Sequence, residues 1–360
     1  MALFPFSSPD ILSLSPAIFD VRNAPFSLHG LYAPKEKGLF RRMPSHVAEA
    51  ANDRARLMHA NPAGARVRFV TDSSFVAVGA VYPPMGDSAA RGAGARSGAG
   101  AFCFDLYVDG KHKSLLSHEV LSEQGGVTLF DVKEGHYEAV ERFGTNRMCE
   151  ITLFFPLFVN VEALYVGLEA GCTVEAPKPY KNDKPVVFYG SSITQGACAS
   201  RAGNTYPAVL SRRHSFDFIN LGFAGGALAE APIIDYLCSL DASLLVFDYD
   251  HNSPSPDYLR RTHLPALRKL RAAHPEIPFI LMSRPNLCSG EDMVKARIEV
   301  IKESYEALLS DGYGPVHFVN GLEIYRSLDS EMMTVDGTHP TDLGFYAMAT
   351  ALDPIFSLYF

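Results

Sequence analysis

Val186-Val187-Phe188-Tyr189-Gly190-Ser191-Ser192-Ile193-Thr194-Gln195-Gly196 is a short apolar run that breaks off in a glycine-framed pair of serines. Its length and composition are those of a buried strand, and the glycine and serines mark a turn into a helix. From here to the end of the chain the same rhythm repeats. Val186–Tyr189, Phe216–Leu221, Ser243–Phe247, Pro278–Met282 and Val316–Val319 read as short buried strands with helical segments between them. The clearest helix starts with Ser255 as N-cap, Pro256 at the first position and Asp257 in the first turn. Another covers residues 290–310 and ends before Asp311-Gly312. Such alternation predicts an α/β fold with a parallel sheet of five strands and helices on both faces. In such sheets ligands bind beyond the carboxyl ends of the strands. The serine loop, the Gly222 loop and Asp248–Asn252 each follow a strand, so three segments converge on one sheet edge.

Upstream the pattern is different. Residues 65–71, 74–82, 102–108, 127–132 and 148–155 alternate or run apolar at strand length, with few helical patterns among them. Several strands with frequent turns predict a β-sandwich or jelly roll. Residues 86–100, rich in Gly, Ala, Ser and Arg, read as a mobile loop. Pro177-Lys178-Pro179-Tyr180-Lys181-Asn182-Asp183-Lys184-Pro185 reads as a linker. The expected organisation is therefore a β-domain over 1–180 and an α/β domain over 181–360.

The chemistry comes from pairing the serine loop with Asp336-Gly337-Thr338-His339-Pro340. A serine hydroxyl attacks a carbonyl well only if a neutral imidazole takes its proton. That imidazole needs a carboxylate to fix its tautomer and stabilise its charged form. Asp336 and His339 share one tight loop, so the carboxylate can reach the ring. The oxyanion that develops needs preorganised donors, and Gly190, Gly196 and Gly222-Phe223-Ala224-Gly225-Gly226 offer suitable backbone. Other motifs fail on spacing. A phosphate-binding loop requires Gly-Lys-Ser/Thr, whereas Ala197 and Cys198 follow Gly196. Gly-x-Ser-x-Gly fails because Thr194 stands in the last place. The dinucleotide fingerprint is not made by Gly222–Gly226. Taken alone, Gly-Ser-Ser-Ile-Thr is equally readable as a polar strand-end turn.

These segments together resemble the SGNH (GDSL-type) hydrolase superfamily. Gly190-Ser191-Ser192-Ile193-Thr194-Gln195-Gly196 is similar to its first block, Gly-Asp-Ser-Ile-Thr-x-Gly, with Ser191 in place of the aspartate. The resemblance, and only the resemblance, selects Ser192 rather than Ser191 as nucleophile. Asn220-Leu221-Gly222-Phe223-Ala224-Gly225-Gly226 resembles the second block and implies Gly225 as an oxyanion donor beside the Ser192 N–H. The third block, Gly-x-Asn-Asp, is not present as such. Asp248-Tyr249-Asp250-His251-Asn252 stands in its place, with Asn252 the implied side-chain donor and Asp250 and His251 lining residues. The last block is matched by Asp336-Gly337-Thr338-His339-Pro340-Thr341-Asp342-Leu343-Gly344, which implies the Ser192, Asp336, His339 triad. Ser191 and Arg284, the latter just after a strand, are further expected lining residues. Gly100-Ala101-Phe102-Cys103-Phe104-Asp105-Leu106-Tyr107 resembles the Gly-x-Asp-Leu-Tyr signature of a β-rich domain that precedes a subset of these hydrolases. That resemblance implies a three-layer α/β/α (flavodoxin-like) catalytic domain and an esterase removing O-acetyl groups from carbohydrates such as plant oligosaccharides. A lysophospholipase or thioesterase with a longer acyl chain, and a binding protein that has lost activity, are the competing expectations.

Composition bounds these expectations. With 360 residues, 47% hydrophobic and 20% charged, the chain can bury sizeable cores without disulfide staples. A net charge of −8 and a pI near 5.8 argue against nucleic acid or an anionic membrane as partner. No run approaches the roughly 18 apolar residues of a membrane span. The N-terminus lacks a basic segment followed by a long apolar core, as a signal peptide would have, so a cytoplasmic protein is expected. Six scattered cysteines without metal spacing predict free thiols. Neither metal nor cofactor is expected, and a homo-oligomer is left open.

Overall fold

The computed structural model describes residues 5–83, 98–116, 120–121, 127–128, 135–144, 146–285, 290–312, 314–326 and 329–360. They group into two compact units that interleave in sequence. One takes the chain up to Arg42, Ala60–Lys178 and Ser200–Gly203, and the other Met43–His59, Pro179–Ala199 and Asn204–Phe360.

The first unit is built from two antiparallel sheets. One runs Ala17–Asp20, Ala163–Leu168, Phe75–Val81, Tyr137–Arg142 in spatial order. The other runs Val174–Glu175, Arg66–Thr71, Cys149–Phe154, Phe104–Val108, Lys111–Leu116, with Ser27–His29 also paired to Arg66–Thr71. Inward side chains of both meet in one core, where Val67, Phe69, Leu106, Ile151 and Leu153 face Val76, Val78, Leu164 and Val166. This is the sandwich that the alternating strands require. Of the expected 86–100 loop, residues 86–97 lie outside the described residues and Gly98–Phe102 forms a short helix. Val127–Thr128 is a strand, while 129–132 fall outside the described residues.

The Asp-Leu-Tyr string has a mechanical role in this unit. Phe104 and Leu106 enter the core, so the period of two turns Asp105 and Tyr107 to the other face. There the buried Asp105 carboxylate accepts the Gly203 N–H at 2.8 Å. Tyr107 packs so closely on Gly203 that a Cβ there would overlap its hydroxyl. The motif is a clasp on the Ser200–Gly203 loop.

The second unit holds a five-stranded, all-parallel sheet in the order Phe218–Gly222, Val186–Gly190, Leu244–Asp248, Phe279–Met282, Val316–Val319. In chain order this is 2-1-3-4-5, the flavodoxin-like arrangement, with its switch point beside the Val186–Gly190 strand. Alternate residues of that strand show the two covered faces. Phe188 meets Tyr206 and Phe356, which belong to the Tyr206–His214 and Asp342–Phe356 helices. Tyr189 meets Phe247, whose ring meets His263 of the Pro256–Ala273 helix. The result is a three-layer α/β/α unit. Ser255 caps the Pro256–Ala273 helix, its Oγ accepting the Tyr258 N–H at 3.1 Å. The second expected helix is Glu291–Ser310.

Two short helices from the β-rich half of the sequence, Ser45–Ala51 and Asp53–Met58, belong to this unit, and the first packs on Ala231–Ser239. Among the described residues no helix is long and apolar enough to cross a membrane. Cys103, Cys149, Cys172 and Cys238 are free thiols, Cys198 is buried, and Cys288 lies outside the described residues.

Candidate active site

Gly190 pairs in register with Gly222 on one side and Asp248 on the other. The three loops that follow these strands therefore leave the sheet at one level. Gly190 has no room for a side chain, since a Cβ would overlap Thr194 Oγ1 and the Asp248 carbonyl oxygen. The two serines after it do different things. Ser191 is fully buried, its N–H donates to the Asp248 carbonyl at 3.2 Å, and its Oγ accepts the Ile193 N–H at 3.2 Å as an N-cap. Ser192 opens the Ser192–Gln195 turn, and its Oγ lies 2.9 Å from His339 Nε2. One residue of chain thus separates a capping hydroxyl from one aimed at an imidazole.

His339 Nδ1 meets Asp336 Oδ2 at 2.7 Å. The other carboxylate oxygen accepts the N–H groups of Thr338 at 3.0 Å and His339 at 2.8 Å, an Asx turn that fixes both residues. Burial would raise the Asp336 pKa, but these N–H donors and the imidazole outweigh it and hold the carboxyl below its ordinary range. A hydroxyl, an imidazole and a carboxylate in this chain can carry a proton from oxygen to nitrogen while the ring stays oriented.

The loop after Phe218–Gly222 is pinned on both sides of Gly225. The Ala224 N–H donates to Gln195 Oε1 at 3.0 Å, and the Ala227 N–H donates to Asn252 Oδ1 at 3.2 Å. Gly225 itself sits at φ +74, in the left-handed region. With its oxygen engaged by Ala227, the Asn252 amide has Nδ2 as its remaining donor end. Among the described residues the N–H groups of Ser192 and Gly225 are not committed to any acceptor.

Asp250 and Arg284, expected to line the pocket, form a buried pair instead. Both are almost fully buried, Arg284 N–H donates to Asp250 Oδ2 at 3.2 Å, and Arg284 Nε lies 3.5 Å from that oxygen. Arg297 from the Glu291–Ser310 helix adds bonds from its guanidinium to the carbonyls of Asp250 at 2.8 Å and Ser253 at 2.8 Å. The two arginines brace the turn that presents Asn252. Burial pushes the Asp250 pKa up, against the pull of Arg284 and Arg297. His251 has its Nε2 sealed from solvent without a hydrogen-bond partner among the described residues. Burial first, then the charges of Arg284, His339 and Arg297, hold its pKa well below normal, so it is a neutral ring.

The sequence assigns no role to Arg297, Gln195 or the Thr194 and Tyr206 hydroxyls that meet Asp248. Arg297 left a trace, a cation among Val294, Ile298 and Ile301 on the buried side of its helix. Asp248 accepts Thr194 Oγ1–H at 3.0 Å and Tyr206 O–H at 3.1 Å beneath the serine turn. Burial, with Asp250 adding to it, pushes this carboxyl up to about 8.

Residues 183–357 match the GDSL-like lipase/acylhydrolase family, and residues 17–174 match the GxDLY N-terminus of SGNH-hydrolase-type esterases. The chain belongs to the SGNH (GDSL-type) hydrolase superfamily. It is an acyl-ester hydrolase with an N-terminal antiparallel β-domain. A solved candidate GDSL-like lipase from Bacteroides ovatus ATCC 8483 superposes with a TM-score of 0.80 at 26% identity, over 95% of this chain and 97% of that one. The salicylyl-acyltransferase SsfX3 of a tetracycline biosynthetic pathway shares the fold with a TM-score of 0.75 at 18% identity, over 96% and 97%. A family two carbohydrate esterase from Cellvibrio japonicus does so with a TM-score of 0.57 at 14% identity, over 95% and 97%. No curated protein sequence matches the chain.

Proposed function

We propose that the protein is a serine esterase removing O-acetyl groups from carbohydrates, with acetylated oligosaccharides as substrates. The observation that carries the mechanism is the continuous chain from Ser192 Oγ to His339 Nε2 at 2.9 Å and from His339 Nδ1 to Asp336 Oδ2 at 2.7 Å. Ser192 Oγ attacks the ester carbonyl carbon while its proton passes to His339 Nε2. Asp336 orients the ring and stabilises the imidazolium. The N–H groups of Ser192 and Gly225 and the Asn252 amide hold the oxyanion. The C–O bond to the sugar then breaks, and His339 returns the proton to the departing hydroxyl. Water, deprotonated by the same base, cleaves the acyl-enzyme to acetate and free Ser192. The choice of acetate and sugar is supported by the resemblance of the Gly-x-Asp-Leu-Tyr domain to that of carbohydrate esterases and by the fold shared with the Cellvibrio japonicus family two carbohydrate esterase. The free thiols of Cys103, Cys149, Cys172 and Cys238 suit a reducing, cytoplasmic setting.

The test is acetate release from acetylated plant oligosaccharides, run beside acetyl and octanoyl nitrophenyl esters. Wild type, Ser192→Ala and Ser191→Ala are compared. Release that vanishes in Ser192→Ala, survives in Ser191→Ala and is weak on octanoyl supports the proposal. Turnover confined to octanoyl would move the substrate to a longer acyl chain. Serine-independent or absent turnover on every ester would refute the mechanism.

A further inference from the structure

The Asn52–Met58 segment is built onto the candidate oxyanion loop. Asn52 caps the Asp53–Met58 helix, its Oδ1 accepting the Ala55 N–H at 2.8 Å. The same amide reaches across with Nδ2 to the Gly226 carbonyl at 3.0 Å and to Glu230 Oε1 at 2.5 Å. The approach is close enough that a Cβ on Gly226 would lie 2.7 Å from Arg54 Cβ and 3.0 Å from the Ala55 nitrogen. Arg54 then runs along Gly225: a Cβ there would have Nε, Cγ and Cδ of Arg54 at 3.8, 3.9 and 4.0 Å.

Arg54 is exposed, and it makes no hydrogen bond or ion pair with any other described residue. Of its acidic neighbours, Asp53 meets Arg56 at 3.3 Å and Glu230 gives Oε1 to Asn52, while Glu230 Oε2 is buried away from solvent with no hydrogen-bond partner among the described residues. A guanidinium is a rigid fork of donors matched to a carboxylate. Here its stem lies along the Gly225–Gly226 backbone while its charge is left unspent, beside the glycine proposed above as an oxyanion donor. We propose that Arg54 is a specificity residue that binds an anionic group on the substrate. Given an acetyl acyl group, which carries no charge, the anion belongs to the alcohol portion. The substrate class is then an O-acetylated sugar that bears a carboxylate, a uronate-containing oligosaccharide. This inference rests on the esterase proposal above.

The test uses matched esters, 4-acetoxybenzoate and its neutral methyl ester, followed by uronate-bearing and neutral acetylated oligosaccharides. Wild type should prefer the anionic member of each pair, and 0.5 M salt should erode that preference. Arg54→Ala should lower the anionic-to-neutral ratio of kcat/KM by about tenfold to a hundredfold, mainly through KM, with Arg54→Lys retaining part of it. An unchanged ratio in Arg54→Ala, including an equal loss on both esters, overturns the proposal. So does a wild-type preference for the neutral member. Should Arg54→Ala fail to fold, the wild-type salt series and Arg54→Lys still decide. Failure of the esterase proposal looks different, because there Ser192→Ala would leave hydrolysis of both members unchanged or neither would turn over.

Discussion

Asp248→Asn is the substitution that most directly tests how the floor of the site is held. Asp248 is buried beneath the serine turn, and one carboxyl oxygen accepts hydroxyl protons from both Thr194 and Tyr206. Burial, reinforced by the Asp250 charge, pushes its pKa from 3.8 up to about 8. The folded protein therefore keeps a proton at neutral pH that the unfolded chain gives up above about pH 4. Wherever the native state binds more protons, stability falls as pH rises. For this one group the fall begins near the unfolded pKa and levels off above about 8. A single proton is worth about 1.4 kcal/mol per pH unit, so two units from pH 5 to pH 7 amount to about 3 kcal/mol. Asparagine mimics the protonated acid, with its oxygen accepting from Thr194 and Tyr206 and no charge to desolvate. Urea unfolding of wild type and Asp248→Asn at pH 5, 6 and 7 gives the term as a difference, in which the groups that do not feel Asp248 cancel. The difference should move toward the variant by about 3 kcal/mol over that range, with esterase activity retained. A difference that stays flat would mean Asp248 is ionised in the folded protein, and the account of a neutral buried acid would be wrong.

Two further substitutions probe the site. Asp336→Asn keeps an oxygen for the Thr338 and His339 N–H groups but can turn an N–H₂ toward His339 Nδ1, favouring the wrong tautomer; kcat should fall on the order of 10³- to 10⁴-fold with the melting temperature nearly unchanged. Asn52→Ala removes the cap of the Asp53–Met58 helix and its bonds to Gly226 and Glu230, so it should cost about 2–3 kcal/mol in urea unfolding. The same variant should lower kcat/KM on a neutral acetyl ester by roughly tenfold, about 1.4 kcal/mol of transition-state stabilisation, if the Gly225 loop depends on that tether.

The parallel sheet was legible because its strands are buried on both faces. Val186–Gly190 and Leu244–Asp248 are apolar without alternation, and only a doubly covered sheet accommodates that. Asp336 and His339 were legible for a local reason, since a carboxylate three residues before a histidine closes an Asx turn on its own backbone. The Asn52–Met58 segment was not legible as part of this site. Its cap is ordinary local chemistry, but its partners Gly226 and Glu230 lie far away in the chain, and no periodicity encodes that meeting.

The Asp248–Asn252 stretch shows most sharply what adjacency along the chain leaves undetermined. Its position after a strand correctly places five residues at the sheet edge, and nothing in that placement says which way each side chain turns. The period of two carries on just past the strand, so Asp248 and Asp250 both point into the protein. The first is met by two hydroxyls and the second by Arg284 and the brace of Arg297. Asn252 comes after the chain has turned, with its amide oxygen taken by Ala227 and its nitrogen left over. The charged residues that looked like pocket lining are thus the buried supports of an uncharged one. A polar donor at an oxyanion site acts through its fixed position, and Arg297 gripping the Asp250 and Ser253 carbonyls on either side of it, with Arg284 also on the Asp250 carbonyl, supplies that fixity.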